Sequence, residues 1–195
     1  MHPNPVFRAD AALALNAAEQ IGFAHVFAAT EDGPMVVHAP ITRHGDAVRF
    51  HVARANRITR HLDKAHVVLS LIETHGYISP NWYQPPGDQV PTWNFVAVEI
   101  EGIARTNGAP DLIAHLDRLA TIHEPQDEPW HRDKMDPAAF ERLLKGIRGF
   151  DVTITAVRGT TKLSQNKPAA DRAGVVAGLR RIGSTALADR MAGEG

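Results

Sequence analysis

The sequence contains no cysteine, which removes disulfides, thiolate metal sites and cysteine nucleophiles together. No apolar run approaches the roughly 20 residues that a membrane-spanning helix needs. An excess of one charge is missing too. Lys plus Arg number 21 against 22 Asp plus Glu, for a formal net charge of −1. That balance argues against a chain whose main business is gripping polyphosphate backbones, although a local basic patch stays possible. The N-terminal Met1-His2-Pro3-Asn4-Pro5 offers neither a basic n-region nor an apolar h-region, so no signal peptide is read and the cytosol is the default location. There is no HExxH spacing, no P-loop glycine fingerprint and no nucleophile elbow. A helix-turn-helix pattern is equally missing.

Aromatic residues are scarce, at 6% of the chain, and their placement is uneven. Both tyrosines and two of the three tryptophans fall within residues 77–95. They lie in Tyr77-Ile78-Ser79-Pro80-Asn81-Trp82-Tyr83 and, after a short gap, Val90-Pro91-Thr92-Trp93-Asn94-Phe95. Such a cluster is either a core plug or a binding surface. The interleaved Ser79, Asn81, Thr92 and Asn94 favour a surface, because a pure plug has no use for polar side chains. The prolines keep the stretch out of a central strand.

Hydrophobic content of 44% and charged content of 22% over 195 residues describe one ordinary globular domain spanning 1–195. Residues 9–21 read as a helix stopped by Gly22. Alternating runs over 23–30, 35–42 and 47–52, separated by Glu31-Asp32-Gly33-Pro34 and Arg43-His44-Gly45-Asp46, read as three antiparallel strands. In the third, Val48, Phe50 and Val52 share one face and Arg49 and His51 the other. A short helix is expected at 58–64 and strands at 66–73, 95–105 and 150–157, with Gly102 marking a bulge or bend. The period turns helical at 111–123 and 137–145, which makes 109–146 a helical insertion. After a polar loop at 160–168, C-terminal helices occupy about 169–192. Strands in sequence without intervening helices favour a barrel or sandwich over a doubly wound sheet.

Three constellations could carry chemistry. In Arg54-Ala55-Asn56-Arg57-Ile58-Thr59-Arg60, a strand gives way to a short helix, whose free N–H groups and neighbouring guanidinium groups suit a phosphate. A solvated basic turn capped by Asn56 explains the same residues. Lys162-Leu163-Ser164-Gln165-Asn166-Lys167 can clamp a ligand or cap the next helix. His25, His38 and His51 lie on consecutive strands and could converge, but without the carboxylate spacing of a metal site they read as half-buried polar residues, and no metal is expected.

Taken in order, Ala53-Arg54-Ala55-Asn56, the blocks at 77–83 and 90–94, Gly149-Phe150 and Lys162–Lys167 closely resemble the PaiB family of FMN-binding negative transcriptional regulators. The match runs over nearly the whole chain. The resemblance implies a mainly β fold with flanking helices (α+β), a six-stranded antiparallel split β-barrel that dimerises with itself and holds FMN at the homodimer interface. Carried over by position, Arg54, Asn56 and Arg57 look like the phosphate contacts. Ser79, Trp82, Trp93 and Asn94 look like the flanks of the site, and Lys162, Gln165 and Asn166 like the contribution of the C-terminal region. Catalytic residues are not assigned. Besides a sensor or a regulator that touches DNA or a partner protein, a flavin-dependent oxidoreductase and a binder of haem or another flat ligand fit the same pocket.

Overall fold

The computed structural model describes residues 3–84 and 88–193. The loop centre at 85–87, within the aromatic stretch, and both extreme ends lie outside the described residues. Seven strands and five α-helices follow in chain order: β1 (Arg8–Ala9), α1 (Ala11–Ile21), β2 (Phe23–Thr30), β3 (Gly33–His44), β4 (Ala47–Ala53), β5 (His66–Ile78), β6 (Thr92–Thr106), α2 (Ala109–His123), α3 (Pro137–Leu144), β7 (Ile147–Lys162), α4 (Ala169–Arg181) and α5 (Thr185–Ala192). The chain divides into two compact units. One comprises residues 1–17, 72–98 and 158–195, the other 18–71 and 99–157.

The second unit is the barrel. Its strand order is β7-β4-β3-β2-β5-β6, and β6 pairs with β7 to close the ring. The meander β2-β3-β4 forms because its apolar residues alternate and its turns carry glycine where φ is positive, at Gly33 and Gly45. Inward positions are filled by Val26, Ile41, Val48, Leu69, Ile100 and a stacked pair, Phe50 and Phe150, at 5.3 Å between ring centroids. Those two phenylalanines are also register partners across β4 and β7. Gly102, read as a bulge or bend, instead marks a close approach of backbones. A Cβ there would stand 2.3 Å from the carbonyl oxygen of Thr153.

The helical insertion belongs to this unit, and α2 lies over β3 and β4. The outward side chains of β4 turn to it, not to water. Arg49 forks onto Asp151 at 2.7 Å and reaches Asp111 of α2 at 2.9 Å. Burial opposes ionisation of Asp151, yet the hydrogen bonds from Arg49 and Asn107 prevail and hold its pKa below the usual carboxylate value. His51 meets the fully buried His115 of α2 at 3.0 Å, and His115 continues to Thr42 at 2.6 Å. The three strand histidines therefore do not gather. His25 and His38 are register partners with rings 4.6 Å apart, while His51 pairs with His115.

The first unit has its own core. Ile78, Tyr83, Val96, Leu163, Val175, Leu179, Leu187 and Met191 are buried together, with Trp82 packed against them. The two glycines Gly174 and Gly178 of α4 seat Trp82, since a Cβ on Gly178 would fall 2.3 Å from its ring. The short β1, read from sequence as the helix start, pairs Arg8 with Thr160 and Ala9 with Gly159. The pairing carries β7 through Thr160, and the strand runs on to Lys162, into what composition reads as loop. Gly159 allows it, because a Cβ there would press on Ala9 and Ala14 at under 3 Å.

Candidate functional site

A cavity of about 320 Å³ opens in the first unit, lined by Phe7, Tyr83, Thr92, Asn94, Lys162, Ser164 and Asn166 among others. The start of β6, the end of β7 and the turn that follows β7 supply most of its polar groups. Asn94 is fully buried. Its Nδ2 donates to Ser164 Oγ at 2.9 Å and points also at Met191 Sδ at 3.4 Å. Its Oδ1 is buried with no donor among the described residues. A buried acceptor left unpaired costs about 1–3 kcal/mol, so an added donor at this atom, a water or a ligand N–H, would be stabilising.

Opposite in character is Lys162. Its Nζ donates to Thr92 Oγ1 at 2.6 Å and to the carbonyl of Trp93, and sits 5.9 Å from the Phe7 ring centroid. Burial, with repulsion from Lys167 adding to it, lowers its pKa from the ordinary lysine value. Lys167 lies over the Tyr83 ring at 5.2 Å and donates to Gln89 Oε1 at 2.6 Å. Ser164 carries φ of 58°, a left-handed conformation uncommon outside glycine. It is held by the turn hydrogen bond from Lys167 N to its own carbonyl at 2.9 Å and by Asn94. Strain of this kind persists where surroundings fix it, often beside ligands.

The residues singled out from sequence fall into distinct roles. Asn94, Lys162 and Asn166 line this cavity. Trp93 is 51% exposed and tilts against His75 at 5.4 Å, so within the chain it plugs nothing. Gln165 braces the turn instead, its Oε1 accepting from Leu163 N at 2.7 Å and its Nε2 donating to Thr161 O and Val6 O. Ser79 caps the 3-10 turn Pro80–Trp82 through the N–H of Asn81, and Trp82 is a packing residue on α4.

The basic corner belongs to the barrel unit. There Arg54 donates to the carbonyls of Lys145 at 2.8 Å and Ile147 at 3.3 Å. Asn56 Oδ1 accepts from Ile58 N at 3.2 Å. Arg57 is exposed and makes no side-chain hydrogen bond or ion pair among the described residues. It is the arginine of the corner left available for an anion. Tyr83, Thr92 and Ser164 were not singled out as site residues. Tyr83 and Thr92 stand inside the aromatic blocks and Ser164 inside the 162–167 constellation, but the positive φ of Ser164 leaves no mark in composition.

A family model described as "Putative FMN-binding domain" matches residues 1–156. The chain belongs to that family. Its cofactor is accordingly FMN. Among curated proteins it is 30% identical over 171 residues to "Protease synthase and sporulation protein PAI 2" of Bacillus subtilis, covering 85% of this chain and 82% of that one. It is 26% identical to the uncharacterized protein AN0679 of Emericella nidulans, over 78% and 75% of the two chains. Among solved structures, the flavocytochrome Anf3 from Azotobacter vinelandii superposes with a TM-score of 0.63 at 16% identity, covering 89% of this chain and 78% of that one. A FAD and heme binding protein from Mycobacterium smegmatis gives 0.55 at 12% identity, over 82% and 76%. At those identities the likeness establishes the split-barrel fold.

The cavity suits the polar edge of a flavin. An unpaired acceptor at Asn94 Oδ1 calls for an N–H, and Lys162 offers a positive donor to carbonyl oxygens or ring nitrogens.

Proposed function

We propose that this protein is an FMN-loaded homodimer that senses redox state or a ligand through its flavin and passes the result to gene regulation. The observation that carries the flavin placement is Asn94, a residue with a buried, unpaired Oδ1, lining the same cavity as Lys162. In this reading Asn94 and Lys162 hold the heteroatom edge of the ring and Trp93 packs along it. FMN supplies the redox chemistry when bound. The chain's own part is to exclude water, fix the ring edge and set the charge beside it. A lysine whose ammonium is partly desolvated exerts a stronger field on its neighbour than one in bulk water.

Homodimerisation is supported by the outer faces of the barrel. Phe23 is 53% exposed, Phe27 44% and Val36 42%. Phe27 stands opposite Val36 on β3 and Val68 on β5, so the exposed side chains are neighbours on one sheet. Contiguous apolar patches of this kind mark interaction sites, and two-fold dimers are the commonest way to cover them. The regulatory role is supported by the Bacillus subtilis relative, whose name couples protease synthesis and sporulation.

The test is an absorbance and fluorescence titration of the purified protein with FMN and riboflavin, repeated on Lys162→Gln. Lys162→Gln should weaken both ligands by about tenfold or more, for a lost charged hydrogen bond. Unaltered titrations for Lys162→Gln would remove the flavin from this cavity. A regulator that touches DNA itself shows a salt-dependent shift with duplex, through counterion release. Without one, the output passes to a partner protein.

A further inference from the structure

A larger cavity lies elsewhere. About 810 Å³ lies within the barrel unit, between α2, α3 and the start of β7. Its walls are apolar, built from Leu112, Ile113, Met135, Phe140, Leu144 and Ile147. Four cations border it, Arg54, Arg132, Lys145 and Arg148, against two carboxylates, Asp133 and Glu141. The cations are not equivalent. Arg54 is engaged with backbone carbonyls, and Arg132 lies 5.8 Å over the Phe140 ring and 3.5 Å from Asp117. Lys145 and Arg148 make no side-chain hydrogen bond or ion pair among the described residues, although Arg148 is only partly exposed.

An apolar chamber of this size falls within the range of small-molecule sites, where hydrophobic walls supply affinity and a few polar groups fix orientation. A half-buried arginine without a partner at its edge calls for an anion, and planar carboxylates are the groups guanidinium matches best. We propose that this cavity binds an amphipathic organic anion, an apolar chain or ring bearing one carboxylate. The apolar part lies among Ile113, Phe140 and Leu144, and the carboxylate meets Arg148 with Lys145 beside it. The site is independent of the flavin reading and uses none of the residues that line the smaller cavity.

Isothermal titration of the full chain with decanoate tests it, with decanol and decylamine as controls of equal length and different charge. Decanoate should bind saturably at one per chain, with decanol and decylamine at least about tenfold weaker, as expected when a charge-assisted hydrogen bond is lost. The double variant Lys145→Gln/Arg148→Gln should lose that preference, binding decanoate no better than decanol, with its melting temperature unchanged. Should that variant misfold, Phe140→Trp provides an independent readout, its added fluorescence responding saturably to decanoate. Equal binding of the three probes, no saturable binding, or a double variant that keeps the preference would overturn the proposal. So would displacement of decanoate by FMN, which would assign the chamber to the cofactor.

Discussion

The buried histidine at the α2–barrel contact makes stability depend on pH in a calculable way. Burial, then repulsion from His51 and His44, pushes the pKa of His115 down from 6.5 to about 3. Other charged neighbours also face it. Arg49 repels its proton and Asp151 attracts it, and Asp111 stands on the same helix. In the unfolded chain His115 takes up its proton near pH 6.5, while in the folded chain it stays neutral until about pH 3. Between those values the unfolded state binds more protons, so stability is complete above pH 6.5 and falls as the solution is acidified. With 1.36 kcal/mol per pKa unit, lowering the pH from 7 to 5 costs about 2 kcal/mol from this residue alone. Burial lowers the pKa of His51 and of His44 as well, which steepens the slope in the same sense. Asp151, with its pKa below 3.8, contributes only at lower pH. Urea unfolding at fixed flavin loading, at several pH values between 7 and 5, measures the slope for the wild type and for His115→Gln. The substitution lowers stability at pH 7, since Thr42 and His51 lose a partner, but it should flatten the acid slope by about 2 kcal/mol over the two pH units. An equally steep slope in the variant would refute the assignment of the pH dependence to this ring.

Trp93→Phe should leave the melting temperature close to wild type, because the side chain is half exposed, while changing flavin affinity or fluorescence. A clear loss of stability with unchanged flavin behaviour would make it structural. Gly178→Ala should destabilise by about 1–3 kcal/mol, read by urea denaturation, because the new methyl group meets the Trp82 ring in a packed interior. Phe23→Glu combined with Phe27→Glu should convert a dimer to a monomer in light scattering; an unchanged mass would move the interface off this sheet. FMN affinity should decline on approaching pH 10 sooner than an ordinary lysine would allow, because the pKa of Lys162 is lowered; a flat titration through that range would separate Lys162 from the ligand.

The strands and their order along the chain were legible because alternation and turn glycines are local signals. β2 runs over the residues its apolar period marks, and the insertion helices carry Pro110 and Pro137 in their first turns, where proline is suited. The family was legible too, since the 77–83 and 90–94 blocks are compact. Partnership was not legible. Whether Arg54 faces a ligand or the carbonyls of Lys145 and Ile147, whether Gln165 contacts a cofactor or braces its own turn, and whether His51 meets His38 or His115 depend on which strand or helix lies alongside. Composition carries no such information, because each of these side chains is equally polar in either place. The chain's sequence determined a mainly antiparallel barrel with an aromatic, amide-rich approach to β6. Only tertiary packing decided that Asn94 would be buried with one oxygen unpaired beside a desolvated lysine, because burial and the lack of a donor follow from the neighbours that β7 and α5 bring to it.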